Sequence, residues 1–174
     1  MRRVSLNARL MQDAAASGEI YVALFEIIHP DLPAPIRLST DNTDRLSDEP
    51  LYYGTRSTWR GADPMKEPFL WVVASALMPS DLEDVPASAT LILENLDQRM
   101  AEVVLSFTEV ATLHMACVLA SSPDLIEAEF TDLYLTAAEI NAGEITLSIS
   151  REEIELEYVP GGRMTTNTFP GLWR

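Results

Sequence analysis

The sequence predicts an α+β fold that is mainly β, an antiparallel sheet or β-barrel-like sheet with two short helices. Three observations carry this. Several segments alternate apolar and polar residues with the period of two that places one side of a strand on a core. Clusters of Pro, Gly, Asn and Asp divide these segments at short intervals. Helical spacing occurs in only two places. At 174 residues the chain is long enough for one full core and short for two, so 1–174 is read as a single domain.

Ser5 is placed to cap a helix over Leu6 to Ala16, with Leu6, Leu10 and Met11 on one stripe and Gly18 ending it. Tyr21 to Ile28 is a nearly continuous apolar run broken by Glu26 and stopped at Pro30, which predicts a buried strand. The Pro30, Pro33 and Pro35 cluster predicts a turn before Ile36-Arg37-Leu38, making a hairpin, and Asp41, Asn42 and Asp44 continue as a polar loop. From Asp48 to Pro68, prolines, glycines and charges mix with Leu51, Tyr52, Tyr53 and Trp59, a pattern of ordered loop or irregular strands.

Phe69 to Leu77 and Ala89 to Leu93 predict two further strands. Asn95, with Gln98 three residues on, predicts a capped helix whose stripe is Leu96, Met100, Val103, Val104 and Phe107. Val110 to Leu119 sets Ala111, Leu113, Met115, Cys117 and Leu119 on one face. In the next strand, Leu125 to Leu135, the apolar positions change parity between Phe130 and Leu133, which predicts a bulge near Thr131 or Asp132. Ile145, Leu147 and Ile149, and then Ile154, Leu156 and Tyr158 opposite Glu153, Glu155 and Glu157, repeat the alternation of a sheet with one wet face. The arm from Arg163 to Arg174 has no periodicity yet holds Phe169, Leu172 and Trp173. It either folds back over the domain or docks on a partner, because exposed aromatics are costly unless covered.

Charge and composition narrow the function. Against 27 Asp and Glu stand 12 Lys and Arg, a formal net charge of −15 that repels nucleic acid and anionic membranes alike. No apolar run approaches a membrane span, and the residues after Met1-Arg2-Arg3 lack the apolar core of a signal peptide, so a soluble protein that is not exported is expected. One cysteine and two histidines exclude an internal disulfide and leave no structural zinc set. His114 and Cys117 lie three apart, which on a strand sends them to opposite faces and breaks any nucleophile and base pair. His29, before Pro30, reads as a loop residue. Glu153, Glu155 and Glu157 read as solubility charges, Asp41, Asn42 and Asp44 lack the rest of a calcium loop, and Gly161-Gly162 is a turn with no phosphate-binding motif. No cofactor, no metal and no catalytic residue is assigned, and the expected role is not enzymatic.

The order of elements also resembles a family. The strand Val22-Ala23-Leu24-Phe25-Glu26-Ile27, the segment Leu51-Tyr52-Tyr53-Gly54, the unit Leu91-Ile92-Leu93-Glu94-Asn95-Leu96 and the closing Arg163-Met164 through Phe169-Pro170-Gly171 resemble minor tail proteins of long-tailed bacteriophages. The likeness extends distantly to the lambda-type tail tip protein L and gene-transfer-agent hub proteins. It implies a barrel-like hub domain around the tail axis, linking the tail tube to the baseplate or central fibre. The implied partners are the distal tail protein, the hub or central fibre and, as a further candidate, the tape measure. A homo-oligomer with a trimer favoured is implied as well, in a virion assembled in the host cytoplasm. Some relatives bind an iron–sulfur cluster on several cysteines; Cys117 alone does not meet that pattern. The alternative expectation is a cytosolic ligand-binding β-barrel module with Tyr52, Tyr53, Trp59 and Trp71 around an apolar pocket. A third is a hydrolase using scattered carboxylates.

Overall fold

The computed structural model describes residues 4–77, 88–94, 110–141, 143–150 and 171. Along the chain lie α1 (Leu6–Asp13), β1 (Tyr21–Ile28), β2 (Ile36–Ser39), β3 (Asp44–Asp48), β4 (Leu51–Thr55), a 3-10 turn (Trp59–Gly61), β5 (Phe69–Trp71), β6 (Ala74–Leu77), β7 (Ser88–Glu94), β8 (Thr112–Leu119), β9 (Ser122–Ile140) and β10 (Glu144–Ser150). The strands form one ten-stranded sheet in the order β3-β4-β5-β2-β1-β8-β9-β10-β7-β6. It curls into a half-barrel, so the fold is α+β and mainly β. The expected purely antiparallel sheet is corrected in one place. β2 and β5 run parallel, because the β3–β4 hairpin intervenes and returns the chain to β2 in the same direction.

Why the sheet curls is visible in β9. This 19-residue strand pairs with β8 through its first part and with β10 through its second. Between Phe130 and Leu133 it carries one residue more than β8 carries between Met115 and Leu113, and Asp132 takes a left-handed φ of 57°. This is the expected bulge, and an aspartate tolerates that backbone better than a branched residue would. A second extra residue, Thr136, faces the step from Ser148 to Ile149, and its hydroxyl donates to the Ser148 carbonyl at 3.0 Å. A further extra residue, Glu127, faces the step from Cys117 to Val118, and irregularities repeated along one strand bend it. The predicted single strand over Phe69 to Leu77 is also broken, at Val72 and Val73. There the Val72 N–H donates to the Ser39 carbonyl of β2, while the Val73 carbonyl accepts from Glu94 of β7. One short segment therefore bonds to strands from opposite parts of the sheet order, which only a strongly curled sheet permits.

The concave face holds the larger core. Phe25, Leu91, Leu93, Leu113, Met115, Leu133, Ile145, Leu147 and Ile149, from strands spread across the sheet, pack into one cluster. A second cluster lies behind β1 and β8, where Val22, Leu24, Ala116 and Val118 meet Trp59, Ala62 and Phe69. The middle of the sheet is thus covered on both sides, not wet on one, which accounts for the unbroken apolar character of the Tyr21–Ile28 run.

Ser5 caps α1 as expected, its hydroxyl accepting from the Ala8 N–H at 3.1 Å. The helix is shorter than predicted. Ala14 is already extended, so the helix stops before Ala16 and Gly18 plays no part. Its stripe is also reversed: Ala8 is the buried residue, and Leu6 and Leu10 face outward at 71% and 59% exposure. The Asp48–Pro68 region is more regular than expected, being a hairpin followed by a 3-10 turn. The predicted helix over 95–107, the strand through Ile154 to Tyr158 and the acidic face of Glu153, Glu155 and Glu157 lie outside the described residues, as do Phe169, Leu172 and Trp173.

Gly54 is where β4 approaches β5 most closely. A Cβ there would lie within bonding distance of the Phe69 carbonyl and 2.9 Å from the Leu46 side chain. Gly54→Ala is expected to force the β4–β5 pair apart and to lower stability by at least about 1–3 kcal/mol, read from urea denaturation.

Candidate functional site

The chemistry-bearing side chains gather on the convex side of β1 and β8. Glu26 stands in an apolar strand with its side chain 3% exposed. Across the ladder it faces Arg37 of β2 on one side and His114 of β8 on the other. A buried carboxylate requires cations or donors at both oxygens. Arg37 Nη2 lies 3.0 Å from Oε1, and Arg60 Nε donates to Oε2 at 2.6 Å. Arg37 also reaches Glu67 at 2.7 Å, so the row continues as a chain of alternating charge.

Arg60 arrives from the segment Arg56 to Gly61, which crosses the back of the sheet as a strap. It is fastened at several points. Arg56 pairs with Asp44 at 2.8 Å. The Thr58 N–H and hydroxyl both donate to Asp124 Oδ1, at 2.7 and 2.8 Å, and the Ser57 hydroxyl donates to the Pro123 carbonyl. Trp59 Nε1 donates to Glu129 at 2.9 Å while its ring stacks at a tilt on Phe69, centroids 5.8 Å apart. Arg60 itself takes a left-handed φ of 54°, a conformation that a non-glycine residue holds only when its surroundings fix it. The bonds from the Thr58 backbone, the Thr58 hydroxyl and Ser57 hold the Asp124 carboxyl below its ordinary range against a smaller desolvation effect.

His114 is 2% exposed, and its Nδ1 accepts from the Asp132 N–H at the bulge, 3.1 Å away. That bond leaves the ring proton on Nε2. Burial pushes the imidazole below its ordinary value; nearby Arg60 adds to the shift, and Asp132, Glu26 and Glu129 oppose it. Cys117 points to the other face, as the three-residue spacing predicts, and burial together with Glu127 pushes its thiol up. Glu127 accepts from the Ser5 N–H at 2.8 Å, which pins the start of α1 to β9; its other oxygen is buried without a hydrogen-bond partner.

Chemically, this cluster binds itself. Both Glu26 oxygens are occupied by guanidinium groups, so the arrangement locks the strap to the sheet. Among the described residues no three His, Cys, Asp or Glu side chains are arranged to hold a metal. Asp41 is buried and accepts from the Thr43 N–H and hydroxyl, while Asp44 turns to Arg56, so the two acids of the polar loop do not converge. His29 is a loop residue but a buried one, its Nδ1 accepting from the Asp31 N–H. The four aromatics of the ligand-module expectation separate. Trp59 is buried in the convex cluster and Tyr52 is half exposed on the β3–β4 hairpin. An open groove of about 750 Å³ lined by Val73, Ile92, Glu94 and Glu144, among others, contains none of the four.

Glu26 was visible in the sequence as a lone acid inside a buried strand. Its partners were not, since Arg37 and Arg60 stand 11 and 34 residues away with nothing local to mark them. No protein-family model and no curated protein matches the chain. No described helix is long and apolar enough to cross a membrane.

Removing the carboxylate should reveal the cluster's structural weight. Glu26→Ala strands two guanidinium groups and is expected to lose about 3–5 kcal/mol of unfolding free energy. Arg37→Ala leaves Arg60 in place and should lose less; equal losses in urea melts would contradict the shared role. His114 gives a pH signature. Its native value is depressed, so its contribution is fully present above the ordinary 6.5 and is lost as the pH falls from there through the lowered native value. Denaturation midpoints should therefore drop on that side of neutrality, and His114→Gln should flatten this part of the profile.

Proposed function

We propose that the chain is a structural assembly protein, a small component of the tail tip or hub of a long-tailed phage. One observation carries the assembly part. The ladder register brings Ile20, Tyr21, Leu51, Tyr52 and Leu125 to the same end of the half-barrel, where all five are exposed. α1 lies at that end too, tied to β9 through Glu127 and to Tyr21 through Gln12. An apolar concentration on one end of a rigid sheet, rimmed by charge, is the mark of a protein interface. The scaffold beneath it is fastened by the Glu26 cluster and two cores, which suits a part that must hold its shape under load.

The tail location is supported by the resemblance of the element order, and by the barrel-like curl that a hub around an axis would use. A trimer and contacts with the distal tail protein, the central fibre or the tape measure follow from the same likeness. The C-terminal arm, with Phe169, Leu172 and Trp173, is proposed as a further contact on the strength of its unpatterned aromatics.

Mass spectrometry of particles purified from cells carrying the gene tests this reading. The chain is expected in the particles at a fixed ratio to the tail tube protein, and its absence from intact particles would overturn the assignment. A chain lacking residues 169–174 should melt within a few degrees of the full chain yet be depleted in the particles.

A further inference from the structure

We propose that α1 is a hinged lid on the concave face, which opens as a unit to uncover Cys117 while the sheet beneath it stays intact.

The strand ladder shows what the helix covers. Tyr21, Leu119 and Ser122 stand level across β1, β8 and β9, and Ala23, Cys117 and Ala128 stand level two residues further along β1. Cys117 and Leu119 alternate in step with Leu113 and Met115, so their side chains face the concave core. One end of α1 is tied to β9, where the Ser5 N–H donates to Glu127, the extra residue between Ile126 and Ala128. The other end is tied to β1, where Gln12 donates to the Tyr21 hydroxyl at 3.2 Å. A helix fastened to the strands on either side of β8 must cross β8. The lengths agree, since two strand spacings and the rise of seven helical residues are each roughly 10 Å. Cys117 and Leu119 lie under that crossing, 8% and 0% exposed, and Glu127 is near enough to push the Cys117 thiol up.

The fastenings are light. Ala8 is the buried residue of a helix whose Leu6 and Leu10 face solvent. Eight residues are too few for a helix to persist alone in water, and Asp13 sits at the end that favours a cation. The Gln12 bond is exposed, so water can replace it. The Glu127 bond carries a counterweight. Closure buries the other carboxylate oxygen, Oε1, without a hydrogen-bond partner among the described residues, and a buried acceptor left unpaired forfeits its hydration. Opening returns Oε1 to water while the cores stay packed, so it costs far less than unfolding. Residues 14–18 supply the hinge, being exposed and free of helix or strand, with open space around Gly18. Under the assembly reading, opening adds Leu119 to the apolar end, so the lid sets how much of that end a partner meets. The lid itself stands apart from that reading.

Cys117 is the one thiol of the chain, so its labelling by a maleimide reports the opening directly. The full-length chain is labelled in rising urea, with the rate normalised to that of the unfolded chain. Without urea, labelling is expected to run about a hundredfold or more faster than the global unfolding equilibrium permits. Its urea dependence below the unfolding transition should be a small fraction of the global slope, because a lifted helix exposes little surface. Ser5→Pro suits a residue whose φ is −63° and deletes the N–H that Glu127 accepts together with the cap hydroxyl. It should speed labelling by roughly tenfold while the urea midpoint of the sheet, read by circular dichroism, stays in place. Gln12→Ala, which loosens the other end, should act in the same direction by a smaller factor. Leu6→Gln, on the outer face, should leave the rate within about twofold. Labelling that follows global unfolding in rate and urea slope would overturn the lid. Labelling of the wild type at the rate of the unfolded chain would overturn it too, as would a rate indifferent to Ser5→Pro and Gln12→Ala.

Discussion

A carboxylate in the middle of an apolar strand imposes a demand on everything around it. Glu26 is nearly inaccessible to water, so its charge must be met by groups of the protein, and the two that meet it come from different directions. Arg37 comes across the sheet from the neighbouring strand; Arg60 comes from above, on a segment with no strand of its own. That second partner obliges the Arg56–Gly61 strap to lie flat on the convex face. Once there, the strap brings Trp59 and Ala62 down onto Val22, Leu24 and Val118, and so creates the second apolar cluster. The left-handed backbone of Arg60 is sustained by the same contacts. An ion pair of this kind contributes little net stability beyond an apolar replacement. What it contributes is uniqueness, because any other placement of the strap leaves a buried charge unpaired.

The curl follows from a different constraint and leads to the exposed end. Bulges at Asp132 and Thr136 bend β9 so that its two parts serve different partners, and the Val72–Val73 break lets one segment bond to β2 and then to β7. Apolar residues from opposite parts of the sheet order consequently meet in one concave core. A curled sheet has two ends, and the loops and strand termini that gather at an end cannot be buried by the curl itself. Ile20, Tyr21, Leu51 and Leu125 are apolar residues at such termini. Their exposure is a property of where the curl places them, whereas Phe25 or Leu147, on the same strands or similar ones, fall mid-strand and are covered.

How much of this the sequence showed depends on the range of the physics. Period-two alternation is local, so the strands over 21–28, 112–119 and 144–150 were legible, as was the parity change that marks the Asp132 bulge. The Ser5 cap is also local and was legible. The end of α1 was not, because Ala14, Ala15 and Ala16 are good helix formers, yet the helix stops at Asp13, with Ala14 already extended and the chain bending through Ala16. Nor was the outward turn of Leu6 and Leu10, since periodicity marks a stripe without saying which way it faces. The strand break at Val72 and Val73 lies between two β-branched residues that favour continuation, and only the curl requires it. For the charge cluster, the sequence showed one member and none of the pairings.

These two constraints divide the molecule into a part that is closed and a part that is open. In the closed part the strong polar groups of the cluster are turned inward on one another: Glu26 on two arginines, His114 on the Asp132 amide, Asp124 on Thr58, Trp59 on Glu129. Such groups resist a ligand, since a newcomer would have to displace a bond already made in a site of low dielectric. In the open part the side chains of Ile20, Leu51 and Leu125 are exposed, so covering them displaces water rather than a bond among the described residues. A binding event is therefore far cheaper at the exposed end than at the charged cluster, although the cluster holds the residue types usually associated with activity. The polar residues of this chain make the scaffold rigid, and the rigid scaffold presents an apolar end in a fixed arrangement. That division is the physical ground on which the proposed assembly role rests.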